Sequence, residues 1–413
     1  MEISKRKIII ALVMAFLAVS CTMVSVFAAT AAGWSVTSVG TSQAYTESVS
    51  LAIDNNGVPH VAYCDSSNHI DYASWTGSSW NIQTVATDAQ YSGTSGSWVS
   101  LALDSNGNPY ISYYAFISST DSYELKYAYL SGGSWTTQVV DPNMAGISNS
   151  IALDPSGTPH IAYYSMADTG LMYASPSGSG WTTTQVDTGS CVGISLAFDN
   201  AGNPHISYRD GNYLKYASFR GSSWLTPTEI ALISQYDGCI TSLAFNPTTG
   251  NPAISFYNYG SYDLMYVAYS GSAWGTPVTV DSGSGLQVGM WNSLAFNAQR
   301  NPAIAYYSTT TSGSPGTLKY ATNTGSGWTT QTVDTAVNDG TGNLSPVSLA
   351  FTGSGKPTIA YVAGQGSVNT VKVTTEATSF FALPEYAYGA LAAVAACFVA
   401  VAAFAVVKKR RQQ

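Results

Sequence analysis

Three histidines follow a proline in three copies of a short motif: His60, His160 and His205. Imidazole is a common metal ligand, so the pattern raises the question of a metal centre. Ligands must converge to about 2 Å from one ion, and residues in separate copies of a repeat converge only if they face a common axis. Tyr110 and Ala253 fill the same place in other copies. The sequence therefore predicts a strand-surface role for the histidines, and no metal or other cofactor.

Three arginines, Arg209, Arg220 and Arg300, lie between residues 32 and 383. Arginine forks bind carboxylates well, and hydrolysis of a glycosidic bond uses a pair of carboxylates. However, Arg209 ends a predicted strand, whereas Arg220 and Arg300 stand at short turns, and the glutamates of this region share no motif. The pattern favours a protein without catalytic residues, and a glycosidase or polysaccharide lyase remains the alternative.

Two tryptophans fall outside the repeated pattern of the chain. Trp98 and Trp291 each stand two residues before a recurring serine. An exposed indole beside tyrosine can stack on a sugar ring or on another apolar face, and packing inside a wide junction between repeats is the alternative. The predicted ligand-binding residues are Trp98, Trp291, Tyr91 and Tyr236.

Three cysteines lie between the two ends of the chain: Cys64, Cys191 and Cys239. At most one disulfide can form among them. Cys191 and Cys239 precede the same element in neighbouring repeats, so they are the predicted pair, and Cys64 then remains a thiol.

A pattern of about fifty residues recurs seven times. It reads Ser-Leu-Ala-x-Asp-x-x-Gly-x-Pro-His-Ile-x-Tyr-Tyr, a variable loop, Leu-x-Tyr-Ala, a Gly/Ser turn and Trp-x-x-x-x-Val. The seven copies begin at Ser50, Ser100, Ser150, Ser195, Ser242, Ser293 and Ser348. Each copy has four segments rich in β-branched and aromatic residues, bounded by turn formers, and no helical pattern. Four strands in this length are typical of one propeller blade.

The two ends of the repeat region complement each other. The last copy lacks its Trp strand, and an unpaired strand with Trp34 precedes the first copy. The predicted fold is all-β, a seven-bladed propeller over residues 32–375 with four-stranded blades, closed by the N-terminal strand. Connections between strands 2 and 3, and from strand 4 to the next blade, are long and share one face. This long-loop face is the predicted binding surface.

Both ends carry signals for export and anchoring. Residues 1–29 have a basic start, a short apolar run and small residues, which predicts a signal peptide. Attachment of lipid at Cys21 is the alternative. After a linker over residues 376–387, the apolar residues 388–407 predict one transmembrane helix. The basic tip 408–413 places the C-terminus in the cytoplasm and the propeller outside the cell.

The tail resembles the sorting tails of prokaryotic surface proteins processed by archaeosortases or exosortases. Its sorting motif is Pro384, Glu385 and Tyr386, with tyrosine where such tails often have phenylalanine. This resemblance implies cleavage of the tail, and a retained helix is the alternative. The repeats resemble the propeller repeats of bacterial and archaeal surface proteins, some named sialidase-like or BNR-type, which implies a scaffold and no particular activity.

The composition limits the partners. Only 9% of residues are charged, the net charge is −8, and four of the cations stand together at 408–411. The rest of the chain is therefore acidic, and an acidic surface repels the phosphates of nucleic acid. The sequence predicts a non-catalytic recognition or adhesion protein, anchored in the cell membrane by a single span, that binds surface glycans or proteins of the envelope or of other cells. A structural envelope protein is a further alternative.

Overall fold

The structure is a computed structural model. It describes residues 33–43, 49–88, 98–234, 240–310, 316–335, 346–364 and 368–377. Within these ranges there is no helix long and apolar enough to cross a membrane. The predicted signal peptide, sorting motif and membrane span lie outside them. Residues Ser35–Glu376 form one compact unit, and the two ends of the chain form another, of which only Gly33, Trp34 and Ala377 are described.

The strands form seven antiparallel sheets, one per blade. Blades 1 to 3 consist of β2 (Val49–Ile53), β3 (Pro59–Cys64), β4 (Ile70–Trp75) and β5 (Trp80–Ala86); β6 (Val99–Leu103), β7 (Pro109–Ile117), β8 (Ser122–Ser131) and β9 (Ser134–Asp141); and β10 (Ala145–Leu153), β11 (Pro159–Ser165), β12 (Gly170–Ser177) and β13 (Gly180–Thr188). In every blade the first strand of the repeat forms the inner edge of the sheet, and it contacts the first strands of neighbouring blades.

Blades 4 to 6 repeat this order. They consist of β14 (Cys191–Phe198), β15 (Pro204–Asp210), β16 (Tyr213–Arg220), and a fourth strand divided into β17 (Ser223–Trp224) and β18 (Thr228–Leu232); β19 (Thr241–Phe245), β20 (Pro252–Asn258), β21 (Asp263–Ala268) and β22 (Val278–Asp281); and β23 (Leu286–Phe296), β24 (Pro302–Thr310), β25 (Thr317–Asn323) and β26 (Trp328–Thr335). Pro227 lies in the gap between β17 and β18, and Pro277 directly precedes β22. Proline has no N–H to donate to a neighbouring strand, so the fourth strand of blade 4 is interrupted and that of blade 5 begins late.

Blade 7 joins the two ends of the ring. It contains β27 (Val347–Phe351), β28 (Pro357–Gly364), β29 (Val368–Glu376) and, as its outer strand, β1 (Trp34–Gln43). The predicted closure by the N-terminal strand is therefore confirmed, and so is the seven-bladed all-β propeller with four-stranded blades.

The turns between the first and second strands are built by the repeat aspartate. In blade 1, Asp54 Oδ1 accepts hydrogen bonds from the amides of Asn56 at 2.9 Å and Val58 at 2.8 Å. Gly57 adopts φ +80°, which a residue with a side chain rarely does. Burial raises the pKa of Asp54, but these amides outweigh it and hold the pKa below its ordinary value. The first hairpin of blades 1 to 4 is thereby kept short, and Asn246, Asn297 and Thr352 take the place of the aspartate in blades 5 to 7.

A ring of hydrogen bonds connects the innermost strands of all seven blades. The hydroxyl of each repeat serine accepts the N–H of the leucine or isoleucine that follows the next repeat serine, at 2.9–3.1 Å. The pairs are Ser50 with Leu101, Ser100 with Ile151, Ser150 with Leu196, Ser195 with Leu243, Ser242 with Leu294, Ser293 with Leu349, and Ser348 with Leu51. The last pair closes the cycle.

Aromatic side chains fill the outer part of the blade junctions. The tyrosine of Leu-x-Tyr-Ala meets the repeat tryptophan of the next blade edge-on, with ring centroids 4.9–5.3 Å apart and planes at 65–74°. Five junctions share this geometry: Tyr72 with Trp135, Tyr127 with Trp181, Tyr173 with Trp224, Tyr216 with Trp274, and Tyr266 with Trp328. Edge-to-face aromatic pairs stabilise beyond the area that they bury.

We expect Ser150→Ala to lower the free energy of unfolding by about 1–3 kcal/mol, because it leaves the N–H of Leu196 without its acceptor at a part-buried site. Ser177→Ala, an exposed serine of β12, is the control and is expected to have little effect. Denaturant unfolding of the three proteins measures the difference. Equal stabilities for both variants would contradict a structural role of the serine ring.

Candidate functional site

All seven blades contribute to a small cavity of about 140 Å³ on the axis of the ring. Its wall consists of the first residues of the innermost strands, in which serine, asparagine and glycine alternate with valine, isoleucine and proline, together with Trp98 and Trp291. These residues follow the connection from one blade to the next, so the cavity lies toward the long-loop face. Hydroxyls, amides and indoles are the groups that bind uncharged polar ligands.

Trp98 and Trp291 come from blades 2 and 6 and meet across this axis. Their ring centroids are 6.4 Å apart, at 39°. Trp291 is only 1% exposed, and its indole Nε1 is buried without a hydrogen-bond partner in the part of the chain that the structure describes. Trp98 is partly exposed. Trp291 thus packs in the interior, the alternative interpretation of its position, and Trp98 is the member of the pair that a ligand can reach.

Asparagines at the start of two innermost strands fix the wall beside the tryptophans. Asn149 Nδ2 donates to the carbonyls of Trp98 at 3.3 Å and Gly146 at 2.9 Å. Asn292 Nδ2 donates to the carbonyl of Ile240 at 2.9 Å. The side-chain oxygens of both asparagines accept a serine hydroxyl from the preceding blade at 2.5 Å. The backbone around the indoles is therefore held by side chains of adjoining blades.

The other predicted binding and bridging residues are only partly covered. Tyr91, Tyr236 and Cys239 lie outside the described residues. Cys191 is buried, and burial together with the nearby carboxylates of Asp210 and Asp187 raises the pKa of its thiol to about 12. Its bridge to Cys239 stays a prediction.

The three histidines sit in separate blades, each between a tyrosine and the turn aspartate. His160 Nδ1 lies 2.7 Å from the hydroxyl of Tyr173, and its Nε2 lies 3.6 Å from Asp154 Oδ2. His60 and His205 have the same two neighbours in their own blades. Burial lowers the pKa of all three below the ordinary value, and the aspartates offset this only in part. Among the residues described, no group of three or more metal-ligating side chains exists.

The arginines do not form a carboxylate-binding group. Arg209 lies at the end of β15, is 3% exposed, and donates from Nη1 to the carbonyl of Gly211 at 3.0 Å. Arg220 ends β16 at the hairpin to β17, and Arg300 stands in the turn between β23 and β24. Arg209 therefore belongs to the long-loop end of its blade, whereas the other two stand at short turns on the opposite face.

A recurrent cluster of tyrosine and aspartate, which the sequence analysis missed, connects neighbouring blades near the long-loop face. A tyrosine of the second strand, four residues after the repeat proline, donates a hydrogen bond to an aspartate in the fourth strand of the preceding blade. The pairs are Tyr163 with Asp141 at 2.7 Å, and Tyr208 with Asp187, Tyr306 with Asp281 and Tyr361 with Asp334 at 2.6 Å. Burial and the aspartates raise the pKa of these tyrosines, so the hydroxyls stay protonated donors. The signal was a Val-Asp pair, which extends the pattern Trp-x-x-x-x-Val.

Lysines complete the cluster in three of these junctions. Lys215, Lys319 and Lys372 each bind the aspartate that the tyrosine binds. Lys215 Nζ lies 3.0 Å from Asp187 and 2.7 Å from Asp210. Burial lowers the pKa of Lys215, but its two carboxylate bonds outweigh this and raise the pKa above the ordinary value. These carboxylates already accept hydrogen bonds from tyrosine or lysine side chains, so their role is to stabilise the fold.

One junction lacks both members of the pair. In blade 5 the tyrosine is replaced by the buried Phe256, and in blade 4 the aspartate is replaced by Ala231, which pairs with Leu214 as Asp187 pairs with Leu171. A hydroxyl without the carboxylate would be buried without a partner, and a carboxylate without the hydroxyl would face an aromatic ring. The two replacements are therefore mutually compatible.

We expect Ala231→Asp and Phe256→Tyr each to destabilise the protein alone, by about 1–3 kcal/mol, since each adds a polar group without its partner. Together they recreate the pair of Asp141 and Tyr163, and we expect a favourable coupling energy of about 0.5–3 kcal/mol. Denaturant unfolding of the wild type, both single variants and the double variant measures it. Strictly additive effects would show that the two side chains do not meet.

We expect the free energy of unfolding to fall as the pH drops below about 6.5, the pKa of histidine in an unfolded chain. The folded pKa of His60, His160 and His205 is lowered, so the unfolded chain binds more protons in this range and stability is complete only above it. Thermal melts between about pH 7 and pH 5 test this. The triple variant with tyrosine at these positions, as at Tyr110, should show a flatter profile; an unchanged profile would contradict this assignment.

Comparison with known proteins adds similarity of fold. The structure is similar to the BP39L lectin from Burkholderia pseudomallei, with 12% identity and a TM-score of 0.52, covering 79% of this chain and 98% of that one. The structure is also similar to AofleA from Arthrobotrys oligospora, with 12% identity and a TM-score of 0.49, covering 72% of this chain and 89% of that one. For the intramolecular trans-sialidase from Ruminococcus gnavus the identity is 12% and the TM-score 0.42, and the match covers 79% of this chain and 94% of that one. No protein-family model and no curated protein matches the sequence. At this identity the likeness concerns the fold alone, which is a β-propeller.

Proposed function

We propose that this chain is a non-catalytic recognition protein of the cell surface, whose propeller binds a glycan or protein ligand on its long-loop face. The observation that carries this proposal is the axial site, where the partly exposed indole of Trp98 lies beside the serine hydroxyls of the innermost strands. Such a combination offers an apolar face for stacking and donors and acceptors at its edge.

The long connections support the same face. The connections into the innermost strands of blades 2, 5 and 7 end at wall residues of the axial cavity, namely Trp98, Ile240 and Pro346. Loops carried by a rigid scaffold are the usual place for binding residues. A ligand at the axis can therefore contact several blades at once.

The charged groups favour recognition over glycoside hydrolysis. A glycosidase needs one carboxylic acid and one carboxylate that are both available to the substrate. Asp187 and Asp210 are close enough to share Lys215, but each already accepts a hydrogen bond from this lysine. The separate positions of Arg209, Arg220 and Arg300 mean that these three arginines do not together grip a sugar carboxylate.

The location at the cell surface is part of the proposal and rests on the sequence alone. The signal peptide at 1–29, the apolar segment 388–407 and the basic tip 408–413 would place the propeller outside the cell and anchor it in the membrane. Whether the motif at Pro384 directs cleavage of the tail is a separate prediction, decided by the mass of the mature C-terminus.

We expect Trp98→Ala to weaken binding of the full-length protein to its ligand by about tenfold or more, because central aromatic residues contribute most to such interfaces. A glycan array and a panel of purified envelope proteins identify the ligand. Trp291 is kept, since its burial would turn its removal into a stability change.

Tyr213→Ala is the matched control. Tyr213 is an aromatic residue on the same face, 39% exposed, at the start of β16 and away from the axis. It should retain wild-type affinity. If Trp98→Ala binds as tightly as the control, the axial site is not the binding surface.

A further inference from the structure

The junction between blades 7 and 1 lacks an aromatic residue that other junctions have. Val373 pairs with Ala360 in the register in which Tyr72 pairs with Ala62 in blade 1, so it occupies the place of the repeat tyrosine. It faces Trp80, the repeat tryptophan of blade 1, within one apolar cluster. Valine is too short to reach the indole as a tyrosine ring does at the other junctions.

A groove lies at this junction. A cavity of about 190 Å³ lies beside Val373 and Trp80, and it shares Pro59, Trp75 and Thr375 with a wider cavity of about 520 Å³. We call the two together the junction groove, defined by Trp75, Trp80, Thr37, Val373, Thr375 and Lys356. The wider part falls within the range of about 300–1,000 Å³ that is typical of small-molecule sites.

Two indoles form the apolar wall of the junction groove. Trp75 and Trp80 lie with ring centroids 5.2 Å apart and planes at 60°. Trp80 is held in place, because its Nε1 donates to Thr37 Oγ1 of blade 7 at 3.3 Å. Trp75 belongs to both cavities and stays partly exposed. It therefore offers ring surface to a ligand.

Polar groups surround this wall, and they are mostly uncharged. Hydroxyls come from Thr352, Ser354 and Thr375, and side-chain amides from Asn55 and Asn56. Among the described residues that line the wider cavity, the one charged side chain is a lysine, and none is a carboxylate. The groove therefore suits a neutral or acidic ligand that is rich in hydroxyl groups and has an apolar face.

The junction between blades 2 and 3 has an equivalent cavity with the tyrosine in place. Its volume is about 430 Å³, and its wall includes Tyr127, Pro176 and Trp181 at the positions of Val373, Trp75 and Trp80. Tyr127 meets Trp181 edge-on at 5.1 Å. A cavity beside the repeat tryptophan therefore does not depend on the valine. The junction groove differs in that no tyrosine ring covers its repeat tryptophan and in that Trp75 stands where blade 3 has a proline.

We propose that the junction groove is a saccharide-binding site. A pyranose ring has C–H groups on its faces and hydroxyls around its edge, so it can stack on Trp75 while its hydroxyls bond to the hydroxyls and amides that surround the wider cavity. The groove is lined by the short turns of blades 1 and 7, on the face opposite the axial site. It goes beyond the function proposed above, and each site has its own test.

Two variants of the full-length protein test the proposal. Trp75→Ala removes the stacking surface, whereas Val373→Tyr covers Trp80 with the ring that other repeats have. Thr358 takes the place of His60, which meets the hydroxyl of Tyr72 in blade 1, so it is a partner for the new hydroxyl. The second variant restores the repeat pattern and should melt at or above the wild-type temperature. The probe is an array of neutral and uronic-acid-containing oligosaccharides, followed by titration of the saccharides that bind.

The expected result is saccharide binding by the wild type and a loss of about tenfold or more in affinity for both variants, with Trp98→Ala unchanged. Binding that survives in both groove variants and disappears in Trp98→Ala overturns the groove and supports the axial site. A wild type that binds no saccharide on the array also overturns the groove, while the proposed recognition of proteins at the long-loop face stands. Thermal melts of each variant establish that a loss of affinity is not a loss of fold.

Discussion

The inner edge of every blade has backbone N–H groups that point away from its own sheet, and the structure depends on how they are paired. The repeat serine supplies an acceptor to the neighbouring blade at each of the seven junctions. Because a serine side chain is short, this bond fixes the spacing of adjacent innermost strands closely. An unpaired sheet edge would otherwise be a site for wrong association. The serine ring therefore sets the geometry within which the outer layers pack.

Outside this ring the junctions differ, and the differences carry the functional argument. Tyrosine and aspartate meet at four junctions, but Phe256 and Ala231 replace both at another, without a buried unpaired group. The edge-on tyrosine recurs as well, and Val373 stands in its place beside Trp80. A ring with constant inner bonds can thus vary one junction at a time, and the two candidate ligand sites occupy opposite faces of it.

The fold was predictable because the repeat specifies each blade locally, through Asp54-type turns and alternating strands, and because the strand of Trp34 had no other partner. Burial of Trp291 was one of two interpretations of the sequence, and the choice between them depends on contact with Trp98 across the ring, which no spacing within a single repeat reveals. The significance of Val373 was hidden for the same reason: its neighbour Trp80 is distant in sequence and meets it only after closure. The tyrosine and aspartate pairs had a sequence signal, but their role lies between blades and not within one.

Closure by β1 also has a mechanical consequence. Any tension applied to the chain beyond Glu376 acts first on β29, and β29 is hydrogen-bonded to β28 on one side and to β1 on the other. Thr37 Oγ1 adds a bond to the carbonyl of Val373 at 3.3 Å. A pull along a strand must shear both ladders together, whereas a terminal strand at a sheet edge would peel from a single neighbour one bond at a time. The blade that joins the ends of the ring is thus also the one that bears load.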